Sequence, residues 1–339
     1  MFIHHRILRR VRRGIAAATV LLCAGALAAC ASEPAASPSS TPSASASDGA
    51  VMRVAYLSTA NYLTTVRNTK LMQTSLAKAG ATVSFDGPLI PVNGLNTVTS
   101  GHADATSTGT GVFVNLIAQG QPWVAFALEK YSGDSQGIVA APGSGINSLQ
   151  DLYGKTIGTD RKGATGDYII HQAFAQAGLD VSKVNIQYLQ SPENYSSAFR
   201  SGKIDALSTF DQSLAMALST PGAKELVNGS QLHSLNWTIH LVSKDFAAQH
   251  PAAVKAAYQA LRQEAARAKK NPDIIYNAYR EFGAPDDLIA KIKTFDVPTI
   301  QPMDAKAVSD LKKQAQQYVD FGFIASAPDF TGTVIDGSK

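Results

Sequence analysis

Cysteine is nearly missing from this chain, with Cys23 and Cys30 the only two. Both fall in an N-terminal segment that reads as an export signal, so no disulfide is available to hold the fold and no Cys-x-x-Cys metal or redox motif exists. Paired His-Glu metal motifs are missing too, and the histidines beyond that segment (His102, His171, His233, His240, His250) are scattered. An excess of one charge is also missing. Of the 30 Lys and Arg residues, Arg6, Arg9, Arg10, Arg12 and Arg13 lie in the N-terminal segment and none of the 26 acids does, leaving 25 against 26, or −1. The basic isoelectric point of the whole chain therefore reflects the leader, no basic patch with interleaved aromatics remains, and nucleic acid is set aside as a partner. No Gly-Lys-Ser or Gly-Lys-Thr phosphate loop occurs, and no third glycine follows Gly109-x-Gly111 at dinucleotide-fingerprint spacing. No cofactor is expected.

What is there begins with an address. His4, His5 and the five arginines form a basic n-region, Ile15 to Ala26 an apolar stretch shorter than the ~20 residues that span a bilayer, and Leu27-Ala28-Ala29-Cys30 a small-residue cleavage site. The tetrapeptide resembles a bacterial lipobox. That implies residues 1–29 as a lipoprotein signal peptide and Cys30 as the lipidated first residue, holding the protein on the cell membrane and facing the extracytoplasmic side. Residues 31–50 are almost all Ala, Ser, Pro and Thr and read as a flexible tether. Roughly 290 residues follow, enough for two domains.

The chain repeats itself. Ser100-Gly-His-Ala-Asp-Ala-Thr-Ser-Thr108 returns as Ser201-Gly-Lys-Ile-Asp-Ala-Leu-Ser-Thr209. Upstream of each copy lie an apolar strand (53–57; 156–159), a polar loop, an amphipathic helix ending in Ala-Gly (79–80; 177–178) and a second strand (81–85; 184–189), so each half is a β-α-β-α-β unit of an α/β fold. The repeated glycine reads as a helix cap and Asp-Ala-x-Ser-Thr as a short buried strand whose Ser and Thr reach its carboxyl end. Ligands of open α/β sheets sit beyond such ends, which nominates Ser107, Thr108, Ser208 and Thr209. A helical tail follows: 251–270, opened by Pro251 and stopped at Asn271-Pro272, then about 286–293 and 304–321. Lys269-Lys270 and Lys312-Lys313 read as solvated faces.

Three stretches, SLQDLYGKTIGTDRKGATGDYIIHQAFAQAGLD (148–180), LQSPENYSSAFRSGKIDALSTFDQ (189–212) and HPAAVKAAYQALRQEAARAKKNPD (250–273), carry a resemblance. Together they are similar to the nitrate, sulfonate and taurine family of ABC-importer binding lipoproteins, which includes binders of thiamine-pyrimidine precursors. The resemblance implies a two-lobed, type II periplasmic-binding fold with a helical C-terminal tail, crossed twice by the chain near 137–142 and 238–243. Lobe one would hold 51–136 with 244–339, and lobe two 142–238. It further implies a monomer that captures a small anionic or zwitterionic solute, closes on it, and hands it to the permease subunits of an ABC importer. Where the family often has Trp-Asp-Pro, this chain has Phe210-Asp211-Gln212, which leaves the ligand open.

Four loops would face the cleft, nominating Ser58, Thr59, Asn61, Ser107, Thr108, Gly109, Gly163, Thr165, Gly166, Thr209 and Asp211. Two open helices, after Gly109-Thr110-Gly111 and Gly163-Ala164-Thr165-Gly166, where free N–H groups and the helix dipole can hold an anion; ordinary glycine turns with threonine caps would look the same. Trp237 at the second crossing could stack on a ligand or simply pack. Asp211 could pair with a ligand's ammonium or protonated ring nitrogen, or merely cap a helix near Leu214. The rival class is a hydrolase on Gly133-Asp-Ser135-Gln-Gly137, but a nucleophile elbow needs a helix after its serine and Ile138-Val-Ala-Ala141 reads as a strand. The chain is therefore read as a binding protein rather than an enzyme. A lipoprotein that senses occupancy would share the same fold.

Overall fold

A computed structural model describes residues 49–189 and 191–339; the expected leader, Cys30 and most of the tether lie outside the described residues. The first half runs β1 (Ala50–Leu57), α1 (Tyr62–Thr65), α2 (Leu71–Ala77), β2 (Ala81–Leu89), α3 (Pro91–Thr99), β3 (Ala105–Gly109), α4 (Thr110–Ala118) and β4 (Trp123–Lys130). The second runs β5 (Gln136–Ala140), β6 (Thr156–Thr159), α5 (Thr165–Gln176), β7 (Asn185–Tyr188), α6 (Pro192–Arg200), β8 (Ala206–Phe210), α7 (Asp211–Ser219) and β9 (Lys224–Asn228). The chain ends with β10 (Thr238–Ser243), α8 (Lys244–Gln249), α9 (Pro251–Lys270), α10 (Asp273–Glu281), α11 (Asp286–Ile292), β11 (Thr299–Gln301) and α12 (Ala305–Asp320).

Two sheets result, six-stranded in the order β11-β4-β10-β3-β1-β2 and five-stranded in the order β7-β6-β8-β5-β9. The internal repeat extends into them. β1 lies parallel to β2 and β3 as β6 lies parallel to β7 and β8, while β10 inserts antiparallel between β3 and β4 as β5 does between β8 and β9. This corrects the crossings. The segments expected to connect the lobes, 137–142 and 238–243, are mostly strand, paired on both sides; the chain passes between sheets at 131–135 and 229–237. A short apolar run bounded by turn residues looks the same in a connector as in an inserted central strand.

The repeated nonapeptide has a clear mechanical use. Gly101 and Gly202, at φ of 75° and 69°, end α3 and α6 in the left-handed region that costs glycine little. Asp104 then accepts the Arg53 N–H through Oδ2 (2.8 Å), and Asp205 accepts the Thr156 N–H in the same way (2.8 Å). Each aspartate's own N–H donates back to the carbonyl of that same residue. The motif therefore fixes where the third strand of each unit starts against the first. Asp205→Ala should cost about 1 kcal/mol, the net worth of one such bond, and Asp104→Ala more, because Arg53 also binds that carboxylate through Nε and Nη2. Urea unfolding of the two variants checks the order.

The tail follows its apolar spacing: Val254, Tyr258, Leu261, Ala265 and Ala268 of α9 are all buried, and Asp304 caps α12 by accepting the Ala307 N–H (2.9 Å). The helix α10 was not expected; Pro272, which ends α9, stands at its N-cap. Lys269, Lys270, Lys312 and Lys313 are exposed. The tail packs on both halves, α9 on α2, α12 on α4, and α11 across on α7. Among the described residues no helix is long and apolar enough to cross a membrane.

Candidate functional site

The carboxyl ends of the strands from both sheets meet beside the two crossings, and one side chain joins them. Asn236, in the second crossing, donates through Nδ2 to Thr165 Oγ1 at the start of α5 (3.0 Å) and accepts through Oδ1 the Gly111 N–H in the first turn of α4 (3.2 Å). Gly109 lies close beside this contact: a Cβ there would stand 3.2 Å from both Asn236 Oδ1 and Thr165 Oγ1, so one of the two side chains would have to give a little. A second bridge comes from α12, where Tyr318 donates its hydroxyl to the Gly163 carbonyl (2.8 Å).

On the six-stranded side the loop after β1 closes over the sheet. Asn61 caps α1 by accepting the Thr64 N–H through Oδ1 (3.1 Å), and its Nδ2 donates to Thr59 Oγ1 (2.8 Å). Below it lies Ser107, whose Oγ is 3.3 Å from Asn61 Oδ1 and 2.8 Å from His240 Nδ1. His240 Nε2 in turn meets Glu129 Oε2 at 3.0 Å. His240 and Glu129 are polar groups buried in the apolar strands TIHLVS and WVAFALEK, and that placement is the signal sequence reasoning passed over.

Asp211 stands at the start of α7 on the five-stranded side. Its φ of 48° lies in the left-handed region, uncommon outside glycine, and its N–H donates to Ser135 O in the first crossing (2.8 Å). Phe210, not Asp211, occupies the N-cap of α7, so capping does not account for the carboxylate. Loss of water pushes its pKa up to about 7, helped by the nearby charges of Glu129 and Asp134. No Lys, Arg or His among the described residues forms an ion pair with it. Tyr131 and Tyr279 lie within the reach of the same charges, and burial raises both phenols.

Other nominated residues have different tasks. Successive strand side chains point to opposite faces, so in β3 Thr108 turns away from Ser107 to stand opposite Ile239, and in β8 Thr209 turns away from Ser208. Ser208 donates to the Gly166 carbonyl (2.7 Å), and Ser58 is tied to Leu89 O. Trp237 is held by two contacts: its indole N–H donates to Tyr131 O across the crossings (3.0 Å), and the Lys130 ammonium sits 4.0 Å over its ring. Several N–H groups at and before the two helix N-termini expected to hold a ligand anion have partners within this chain. Gly166 N–H donates to Asp160 Oδ1 (3.2 Å), Gly163 N–H to Asp167 Oδ2 (2.8 Å), and Thr110 N–H to Trp237 O (2.8 Å). Burial pushes the Asp160 carboxyl up to about 6. Ser135 is followed by the strand β5, not by a helix. A cavity of about 380 Å³ between Arg53, Asp104, Trp123, Lys244 and Phe246 lies at the opposite, amino-terminal end of β1 and β3, away from these groups.

The fold is shared widely. A protein of Bacillus subtilis (strain 168) named for binding aliphatic sulfonates is 28% identical over 228 residues, 67% of this chain and 67% of that protein. The crystal structure of the periplasmic aliphatic sulphonate binding protein SsuA from Escherichia coli superposes with a TM-score of 0.73 at 20% identity, covering 84% of this chain and 92% of the other. The desulfurization enzyme DSZB also superposes, with a TM-score of 0.60 at 14% identity over 85% of this chain and 96% of that one, so the architecture serves binding and catalysis alike. The sequence itself is more specific, and by its match across residues 76–275 the chain belongs to the NMT1/THI5-like family.

Proposed function

We propose that this protein captures a small solute between two lobes outside the cytoplasm and presents it to the permease of an ABC importer. The lobes are the six-stranded half with the tail and the five-stranded half, with the protein monomeric and anchored by lipid on Cys30. The observation that carries the reading is the Asn236 bridge, which joins the strand ends of both sheets at the chain crossings, where a hinge closing on a ligand would bring them. Ligand would raise the closed population by its differential affinity for that state.

The solute class follows the relatives' aliphatic sulfonates, narrowed by charge. A bare anion such as nitrate meets carboxylates at Asp211 and Glu129 and helix ends filled by Asn236, Asp160 and Asp167. A sulfonate with its own ammonium, of the taurine type, brings a partner for Asp211. The same carboxylate favours, as a second reading, a protonated aminopyrimidine of the thiamine-precursor kind. Thermal shifts of the mature protein with taurine, ethanesulfonate, nitrate and an aminopyrimidine decide: taurine at 100 times its Kd should stabilise by about 2.7 kcal/mol, nitrate should not, and silence from all four would sink the reading.

A further inference from the structure

Charge is unevenly spread over this molecule. Residues 49–85 contain no acid at all, against the cations Arg53, Arg67, Lys70 and Lys78, and α9 holds Lys255, Arg262, Arg267, Lys269 and Lys270 against the single acid Glu264. The fold packs α2 on α9 and so brings these two stretches together. Glu264 is fully buried and pairs with Arg267 (2.6 Å), which leaves every charged side chain on the exposed face of α9 positive. Arg67 is taken up by Glu281 and Lys255 by the Lys339 carbonyl oxygen. Lys70, Lys78, Arg262, Lys269 and Lys270 are exposed, and none of them forms an ion pair among the described residues. Asp273, exposed just past the end of α9, offsets one of these five charges.

Between the two helices runs a groove. Lys70, Thr74 and Lys78 are four residues apart and share one edge of α2, as Gln263 and Arg267 share one edge of α9. With Ser75 they line a cavity of about 260 Å³ whose walls carry no carboxylate, so cations, hydroxyls and an amide all offer it donors. The chain enters the fold beside it. A Cβ on Gly49 would stand 3.0 Å from the carbonyl oxygen of Gly80, two residues past Lys78, and Ala50 pairs with Ala81. An anchor on Cys30 therefore holds this flank nearer the bilayer than any surface remote from Gly49. The mature chain is −1 overall, so its remaining surface is net negative, and an anionic bilayer attracts this flank while it repels the rest.

We propose that the α2–α9 flank is a binding surface for anionic phospholipid, with a lipid phosphate held in the groove by Lys70, Lys78 and Arg267 while Arg262, Lys269 and Lys270 add attraction around it. The surface lies apart from the strand ends at the crossings, and the proposal rests on the lipid-anchor reading only for which membrane this flank meets.

The test uses mature protein carrying Cys30→Ser, so that acylation plays no part, sedimented with vesicles of phosphatidylcholine alone or with about 30% phosphatidylglycerol. It should bind only the anionic vesicles, and salt at about 0.5 M should release it. A basic side chain at such a surface is worth about fivefold in partitioning, so Lys70→Gln with Lys78→Gln should lower it about 25-fold. Lys312→Gln with Lys313→Gln removes the same charge from α12 and should change it less than about twofold. No binding to anionic vesicles, or equal losses in the two double variants, overturns the proposal. Retention on polyglutamate beads without vesicle binding also overturns it, and assigns the flank to an acidic protein instead. Solute capture enters none of these measurements, so their failure leaves that reading standing, and a protein that binds none of the tested solutes leaves the lipid result as measured.

Discussion

Asp211→Asn is expected to make the protein more stable at pH 7.5 and to leave it unchanged near pH 4. Burial and the charges of Glu129 and Asp134 raise this carboxyl from 3.8 to about 7 in the fold. Between those values the folded state holds a proton that the unfolded state has lost, so stability falls as pH rises through the window. The penalty is absent below about pH 4 and complete above about pH 7. A shift of this size corresponds to on the order of 4 kcal/mol, and the partial exposure of Asp211 brings the expected gain in the variant to about 2. Melting curves from pH 4 to 8 check it, and parallel curves for parent and variant would refute the assignment. The opposite sign is expected for binding. A ligand ammonium needs the ionised carboxylate, so parent affinity for taurine should climb from pH 5.5 to 7.5, while the variant binds weakly and without that slope. A residue held at φ 48°, short of a counter-ion and costly to stability, is the pattern of a site maintained for function.

Much of this was legible because some physics is local. The S-G-x-x-D repeat encodes a cap glycine and a strand-starting aspartate within five residues, and helix spacing placed α9 and α12 nearly to the residue. The site was legible only as a set of loops. Reading Ser107-Thr108 and Ser208-Thr209 as doublets facing the cleft ignored the two-residue period of a strand, which can give only one of each pair to either face. Asn236 left no mark at all, since its partners Gly111 and Thr165 lie 125 and 71 residues away. The partners of the loop and helix-start N–H groups were hidden for a related reason. A helix N-terminus is identifiable from sequence, but Asp160 and Asp167 reach theirs only once the loop after β6 has folded back on α5.

Gly166→Ala should be a strongly damaging methyl in the site, and for packing rather than binding. A Cβ at this position would stand 2.5 Å from the Ser208 carbonyl oxygen and 2.2 Å from Thr159 Oγ1. The first of these is backbone of a central strand and cannot step aside. The glycine therefore lets α5 approach β6 and β8, instead of giving a ligand access to backbone as its sequence context suggested. Overpacking of this kind typically costs 1–3 kcal/mol, and because relief requires moving α5, whose Tyr168, Ile169, Ile170 and Phe174 are fully buried, the expected value is at or above the upper end, about 3 kcal/mol. Gly109→Ala supplies the contrast. The atoms nearest its Cβ would belong to the side chains of Asn236 and Thr165, each approached to 3.2 Å, which can give way by opening the bridge between the halves. That variant should fold with nearly parental stability and bind its ligand more weakly. Denaturation and calorimetric titration of both separate the two roles: a Gly166→Ala protein as stable as the parent, or a Gly109→Ala protein that unfolds while its rival does not, would reverse the assignment of these glycines.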